Sequence, residues 1–112
     1  MTQYILEGNK AVKCEDLLKW GKWMQTANRT VKKSTADVKW DGNNLGQVKV
    51  STVFLGVDYC CDEGEPMLFE TMVFGGPLDE ECERCSTWEA AEQMHDKWVE
   101  KVKQATVSLP AH

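Results

Sequence analysis

The 112-residue chain lacks any apolar run near the ~20 residues that a membrane-spanning helix needs. Its first residues do not form the basic-then-apolar pattern of a signal peptide, so the expectation is a protein of the cytoplasm, away from membranes. There is no internal repeat and no low-complexity tract. Standard catalytic signatures are also missing. No Gly-rich phosphate loop precedes a helix, and neither Gly-x-Ser-x-Gly nor His-Glu-x-x-His occurs. Lys and Arg are absent from residues 58–83, which hold nine acids.

What is present suits one globular domain spanning 1–112. The chain is 42% hydrophobic and 28% charged with five Trp, which excludes a disordered tail, a collagen-like repeat or a disulfide mini-scaffold. Five Cys is an odd number in a chain without an export signal, so reduced thiols are expected. The formal charge of −5 hides a split. Residues 1–50 carry nine Lys/Arg against five acids, and residues 51–112 carry four against thirteen. The negative total argues against duplex nucleic acid, while the basic half can still hold a small anion.

Tyr4-Ile5-Leu6 and Ala11-Val12-Lys13 flank a Gly8-Asn9 turn and read as a hairpin. Glu15 and Asp16 open an amphipathic helix with Leu17, Trp20, Gly21, Met24 and Ala27 on one arc. Short strands near Val31 and Val38–Trp40 precede a turn at Asp41-Gly42-Asn43-Asn44. Strong strands follow at 48–55 and 67–74, joined by a long loop, with a third at 81–85 antiparallel to the second. Ser86 and Glu89 have the spacing of a capping box for a helix over 87–105. Its apolar arc contains Trp88, Ala91, Met94, His95, Trp98, Val99, Val102 and Ala105. The expected fold is α+β: an antiparallel sheet of three to five strands, a long carboxy-terminal helix packed on it, and a shorter amino-terminal helix.

Several residues could carry chemistry. Cys82-x-x-Cys85, with Cys60, Cys61 or His95, invites a zinc reading. In an extended strand, residues three apart face opposite ways, so no metal site is expected. His95 reads as a core histidine bonded to a carbonyl or carboxylate, with a general base as the functional alternative. Glu70 shares a strand face with Leu68, Met72 and Phe74 in this reading, where its charge calls for a partner such as Arg84. Asp58, Tyr59, Asp62, Glu63 and Glu65 form an acidic loop without calcium-loop spacing. Lys19, Lys22, Arg29, Lys32 and Lys33 accompany Trp20, Trp23 and Trp40, a mixture that suits a nucleotide through charge and stacking.

Three stretches carry a resemblance: Val50-Ser51-Thr52-Val53-Phe54-Leu55-Gly56-Val57-Asp58, Leu68-Phe69-Glu70-Thr71-Met72-Val73-Phe74-Gly75-Gly76, and Glu83-Arg84-Cys85-Ser86-Thr87-Trp88-Glu89-Ala90-Ala91. With Tyr4-Ile5-Leu6 and the Trp20-x-x-Trp23 helix, they resemble a widespread family of small uncharacterised proteins encoded by phages and prophages. That family has His at the position of Tyr59 and an aromatic at that of Cys85, and it lacks the Cys82 thiol. These departures weaken a family-wide zinc site. The resemblance implies a phage accessory protein in the bacterial host cytoplasm, of a kind that antagonises host defence.

Three functions follow as expectations. The first is a non-enzymatic protein, without cofactor, that sequesters a small anionic nucleotide signal. Arg29, Lys49, Ser51 and Thr52 would contact its phosphates, Trp20 or Trp23 would stack on the base, and Glu70 would belong to the same site. Such a pocket can form between subunits of a homo-oligomer. The second is an inhibitor that meets a host defence protein through Asp58, Tyr59, Asp62, Glu63 and Glu65, by direct docking or by DNA mimicry. The third is a small hydrolase using Asp58, Glu70 and His95.

Overall fold

The computed structural model describes residues 2–40, 43–58 and 64–107. Strands β1 (Tyr4–Glu7) and β2 (Lys10–Lys13) form a two-stranded hairpin. Gly8, at the first position of its two-residue turn, has φ 62°, a conformation that glycine adopts without steric cost. Helix α1 (Leu17–Thr26) follows, capped by the Asp16 carboxylate, which accepts from the amides of Leu18 at 3.0 Å and Lys19 at 3.2 Å. The expected apolar arc is only half-buried, and Leu17 at its start is 62% exposed.

A four-stranded antiparallel meander makes the body: β3 (Thr30–Trp40), β4 (Asn43–Phe54), β5 (Phe69–Phe74) and β6 (Cys82–Cys85), in that spatial order. The two short strands expected near Val31 and Val38–Trp40 are one continuous β3. Asp41 and Gly42 of the expected turn lie outside the described residues, and Asn43 and Asn44 already belong to β4. The long helix α2 (Trp88–Val107) crosses one face of this sheet.

Period-2 alternation sends Val48, Val50 and Phe54 of β4 and Phe69 and Val73 of β5 under α2, which answers with Ala91, Met94, Trp98 and Val102. The hairpin and α1 close one end of this core. Tyr4, Leu6, Ala11 and Trp23 pack against the Phe54–Phe69 cluster. The closure turns on Gly56, whose carbonyl accepts from Tyr4 N at 2.8 Å and Trp20 Nε1 at 3.1 Å. At φ 79° any residue with a Cβ is strained at this position, and that Cβ would also have to displace the end of the Met24 side chain, whose Sδ lies 2.7 Å away.

The start of α2 differs from the capping-box reading. Thr87 Oγ1 accepts from Ala90 N at 3.1 Å and Thr87 O accepts from Ala91 N at 2.9 Å, so Thr87 is the cap. Ser86, one residue too early, instead donates toward Met67 Sδ at 3.6 Å. Thr87→Ala should therefore cost about 1 kcal/mol in urea unfolding, and Ser86→Ala only a few tenths. The reverse order would show that Ser86 caps the helix.

Candidate ligand-binding face

The register divides the sheet into two faces of different chemistry. Under α2, one row runs Lys32, Thr52, Thr71, Glu83 across the four strands. It is polar throughout, and α2 meets it with consecutive residues. Lys32 Nζ reaches Asp96 Oδ1 at 2.8 Å, and Glu83 Oε1 accepts from Lys97 Nζ at 2.6 Å and Trp98 Nε1 at 2.8 Å. In the middle, Thr52 Oγ1 lies 2.8 Å from His95 Nδ1 and 2.5 Å from Thr71 Oγ1, and Ser34 Oγ is 2.8 Å from His95 Nε2. Thr52, Thr71 and His95 are fully buried. Burial, and secondarily the Lys32 charge, pushes the His95 pKa below its ordinary value. The Lys97 bond holds Glu83 below its ordinary carboxylate value.

His95 is thus a core histidine, but its partners are hydroxyls rather than the expected carbonyl or carboxylate. Glu70 lies on the other face of β5, where Arg84 Nε donates to its Oε2 at 2.9 Å, the pairing expected from the sequence. Leu68, ahead of the strand, is buried in the core with Phe54 and Phe69 instead of sharing that face. Asp58 accepts from Met67 N at 3.4 Å in the loop after β4. The hydrolase constellation is therefore divided between two faces of the sheet and a loop.

The outer face carries the neighbouring rows. One runs Thr35, Lys49, Phe74, the next Lys33, Ser51, Met72, Cys82, and the third Val53, Glu70, Arg84. Phe74 is 45% exposed, and Lys49 Nζ sits 5.9 Å from its ring centre. Two ammonium groups, two hydroxyls and one aromatic ring thus occupy adjoining positions on three strands. A cation row beside an open π-face can bind an anion that also carries a planar ring.

Three of the seven ligand residues chosen from sequence, Lys49, Ser51 and Glu70, share this face. The other four lie elsewhere. Thr52 points the opposite way and is committed to His95 and Thr71. Trp20 donates to Gly56 O, Trp23 packs edge-on against Phe54 at 5.7 Å, and Arg29 Nη1 reaches Phe54 O at 3.5 Å. The basic run also divides, with Lys32 on the helix side and Lys33 on the outer side. Phe74, Lys33 and Thr35 were not among the chosen ligand residues. The polar alternation of Lys49 and Ser51 on a strand with buried Val48 and Val50 was the available signal.

Of the acidic loop, Tyr59, Asp62 and Glu63 lie outside the described residues, as do Cys60 and Cys61; Glu65 is exposed. Cys82 and Cys85 take opposite faces of β6, paired with Met72 and Phe69 respectively. Among the described residues no group of three His, Cys, Asp or Glu could hold a metal, and no helix is long and apolar enough to cross a membrane. Two open grooves, about 540 Å³ beside Leu78 and Trp98 and about 450 Å³ beside Ala11 and Trp88, include none of the residues chosen for a ligand. Comparison with family models, curated proteins and solved structures gave no match.

Proposed function

We propose that the protein is a non-enzymatic binder of a small anionic, nucleotide-like ligand, held on the outer face of the four-stranded sheet. The supporting observation is exposed Phe74 beside Lys49, with Lys33, Ser51 and Thr35 on the adjoining positions. Phosphates would lie over the two ammonium groups and hydroxyls. The base would stack on Phe74, replacing the tryptophan expected from sequence. In the phage setting implied by the sequence resemblance, such a protein would remove a nucleotide signal of host defence.

Calorimetric titration with cyclic di- and trinucleotides tests this reading. Binding of at least one is expected. Phe74→Ala and Lys49→Glu should each weaken it about tenfold or more, since stacking on one ring is worth about 1–3 kcal/mol. No heat with any of these ligands, or equal binding by both variants, would overturn it.

The acidic half gives less support to a DNA-mimic surface. Glu70 and Glu83 lie on opposite faces of the sheet, each in an ion pair, and Asp79 accepts from Gly75 N.

A further inference from the structure

The sheet ends on β3, whose outer edge is not paired with any described strand. The opposite edge, β6, is only four residues long, whereas β3 has eleven. A long edge strand presents a row of N–H and C=O groups that another strand can pair with. Irregularities in the β3–β4 ladder fall between Thr30 and Lys32 and between Val38 and Lys39. Between them runs a regular seven-residue stretch, 32–38, with Thr35 at its centre.

We propose that β3 pairs antiparallel with β3 of a second copy of this chain, about a two-fold axis at Thr35. The two four-stranded sheets then become one of eight strands. Charge selects this register. Opposed residues in an antiparallel pair share a face, so a two-fold along the sheet normal must pass through a residue. Centred on Thr35, each Lys33 stands opposite the partner's Asp37 on the outer face, giving two symmetric opposite-charge pairs. Centred on Lys33, Lys33 meets its own copy, like charge against like; centred on Ala36, Asp37 meets Thr35 and no charge is paired within the regular stretch. Centred on Ser34, Lys33 meets Thr35 and Asp37 meets Val31, with no charge paired.

The residues needed are accessible. Lys33, Thr35 and Asp37 are all exposed. Asp37 accepts from Gln47 Nε2 at 3.2 Å, and a carboxylate can accept further bonds. Thr35 would oppose Thr35, a favoured cross-strand pair, and on the helix side Ser34 would oppose the small Ala36. The same lysines and irregular ends that discourage indiscriminate edge pairing then leave one register open.

This inference shares Lys33 and Thr35 with the proposed ligand face but rests on the edge of β3, and its test uses no ligand. Sedimentation velocity of the intact chain should show a dimer. Lys33→Asp, which places acid opposite acid, should raise the dimer dissociation constant about tenfold or more, and Asp37→Lys likewise. The double variant K33D/D37K restores opposite charges in reversed order and should recover the dimer. Circular dichroism of each variant checks that the fold is intact. A wild-type monomer at high micromolar concentration, a dimer indifferent to both single swaps, or no recovery in the folded double variant would overturn the proposal.

Discussion

Phe54→Ala should destabilise the protein by about 3–5 kcal/mol, a large part of what a domain of this size has in reserve. Phe54 is wholly buried and forms the middle of a ring series joining four elements. Trp23 of α1 meets it edge-on at 5.7 Å, and Phe69 of β5 lies 5.3 Å away. Phe69 in turn meets Trp88 of α2 edge-on at 6.2 Å. Deleting this ring removes transfer free energy and leaves a cavity that its two aromatic neighbours cannot close without leaving their rotamers. Urea unfolding should show a midpoint lower by about 1–3 M. Phe74→Ala is the control, because that ring is 45% exposed and should change stability by about 0.5 kcal/mol or less. Equal losses from the two substitutions would mean that the outer face is covered and the inner cluster is not the core.

The two phenylalanines also show what could be read from the sequence. Alternation in 48–55 and the apolar run 67–74 identify both central strands, and the 3.6-residue period identifies nearly all of α2, because each of these segments buries one face. The α+β architecture follows from those segments. Which face of β4 meets the helix is also local information, since Val48 and Val50 alternate with Lys49 and Ser51. What sequence could not supply was register between strands. Only pairing shows that Thr52 meets Thr71 beneath His95, while Lys49 meets Phe74 on the outside. Trp20 and Trp23 looked like stacking residues because basic residues surround them in sequence. In three dimensions they close the end of the core, a role fixed by Gly56 and Phe54 far along the chain. The cap of α2 was missed by one residue because Ser86 and Thr87 are both capable acceptors and local spacing favoured the first.

Lowering the pH from 7 toward about 5.5 should destabilise the protein, and His95→Leu should abolish that dependence. Burial and the nearby Lys32 cation depress the folded-state pKa of His95 below 6.5, its ordinary value. Between the two pKa values the unfolded chain binds the proton more readily, so stability falls as pH falls. The contribution is complete above 6.5 and is lost progressively as pH drops through the folded pKa, at about 1.4 kcal/mol per unit. Hydroxyls on both ring nitrogens can serve either tautomer of the neutral ring, but they supply no negative charge to an imidazolium. Asp96, the next residue, is bonded to Lys32, and Glu83 on β6 is bonded to Lys97. Their carboxylates titrate below this window, so the slope between pH 6.5 and 5.5 reports His95. His95→Ala should cost about 2–4 kcal/mol at pH 7, because it opens a cavity and leaves Ser34 without its partner. His95→Leu keeps most of the volume and should cost less. The comparison also tests register. The polar row from Lys32 to Glu83 meets residues 95–98 of α2, with Asp96 at Lys32, His95 at Thr52, and Lys97 and Trp98 at Glu83, and an α2 slipped by one turn would break these bonds. If His95→Leu loosens that register, amide exchange along α2 should accelerate more than the lost stability explains. Unchanged exchange would confine His95 to packing and proton linkage.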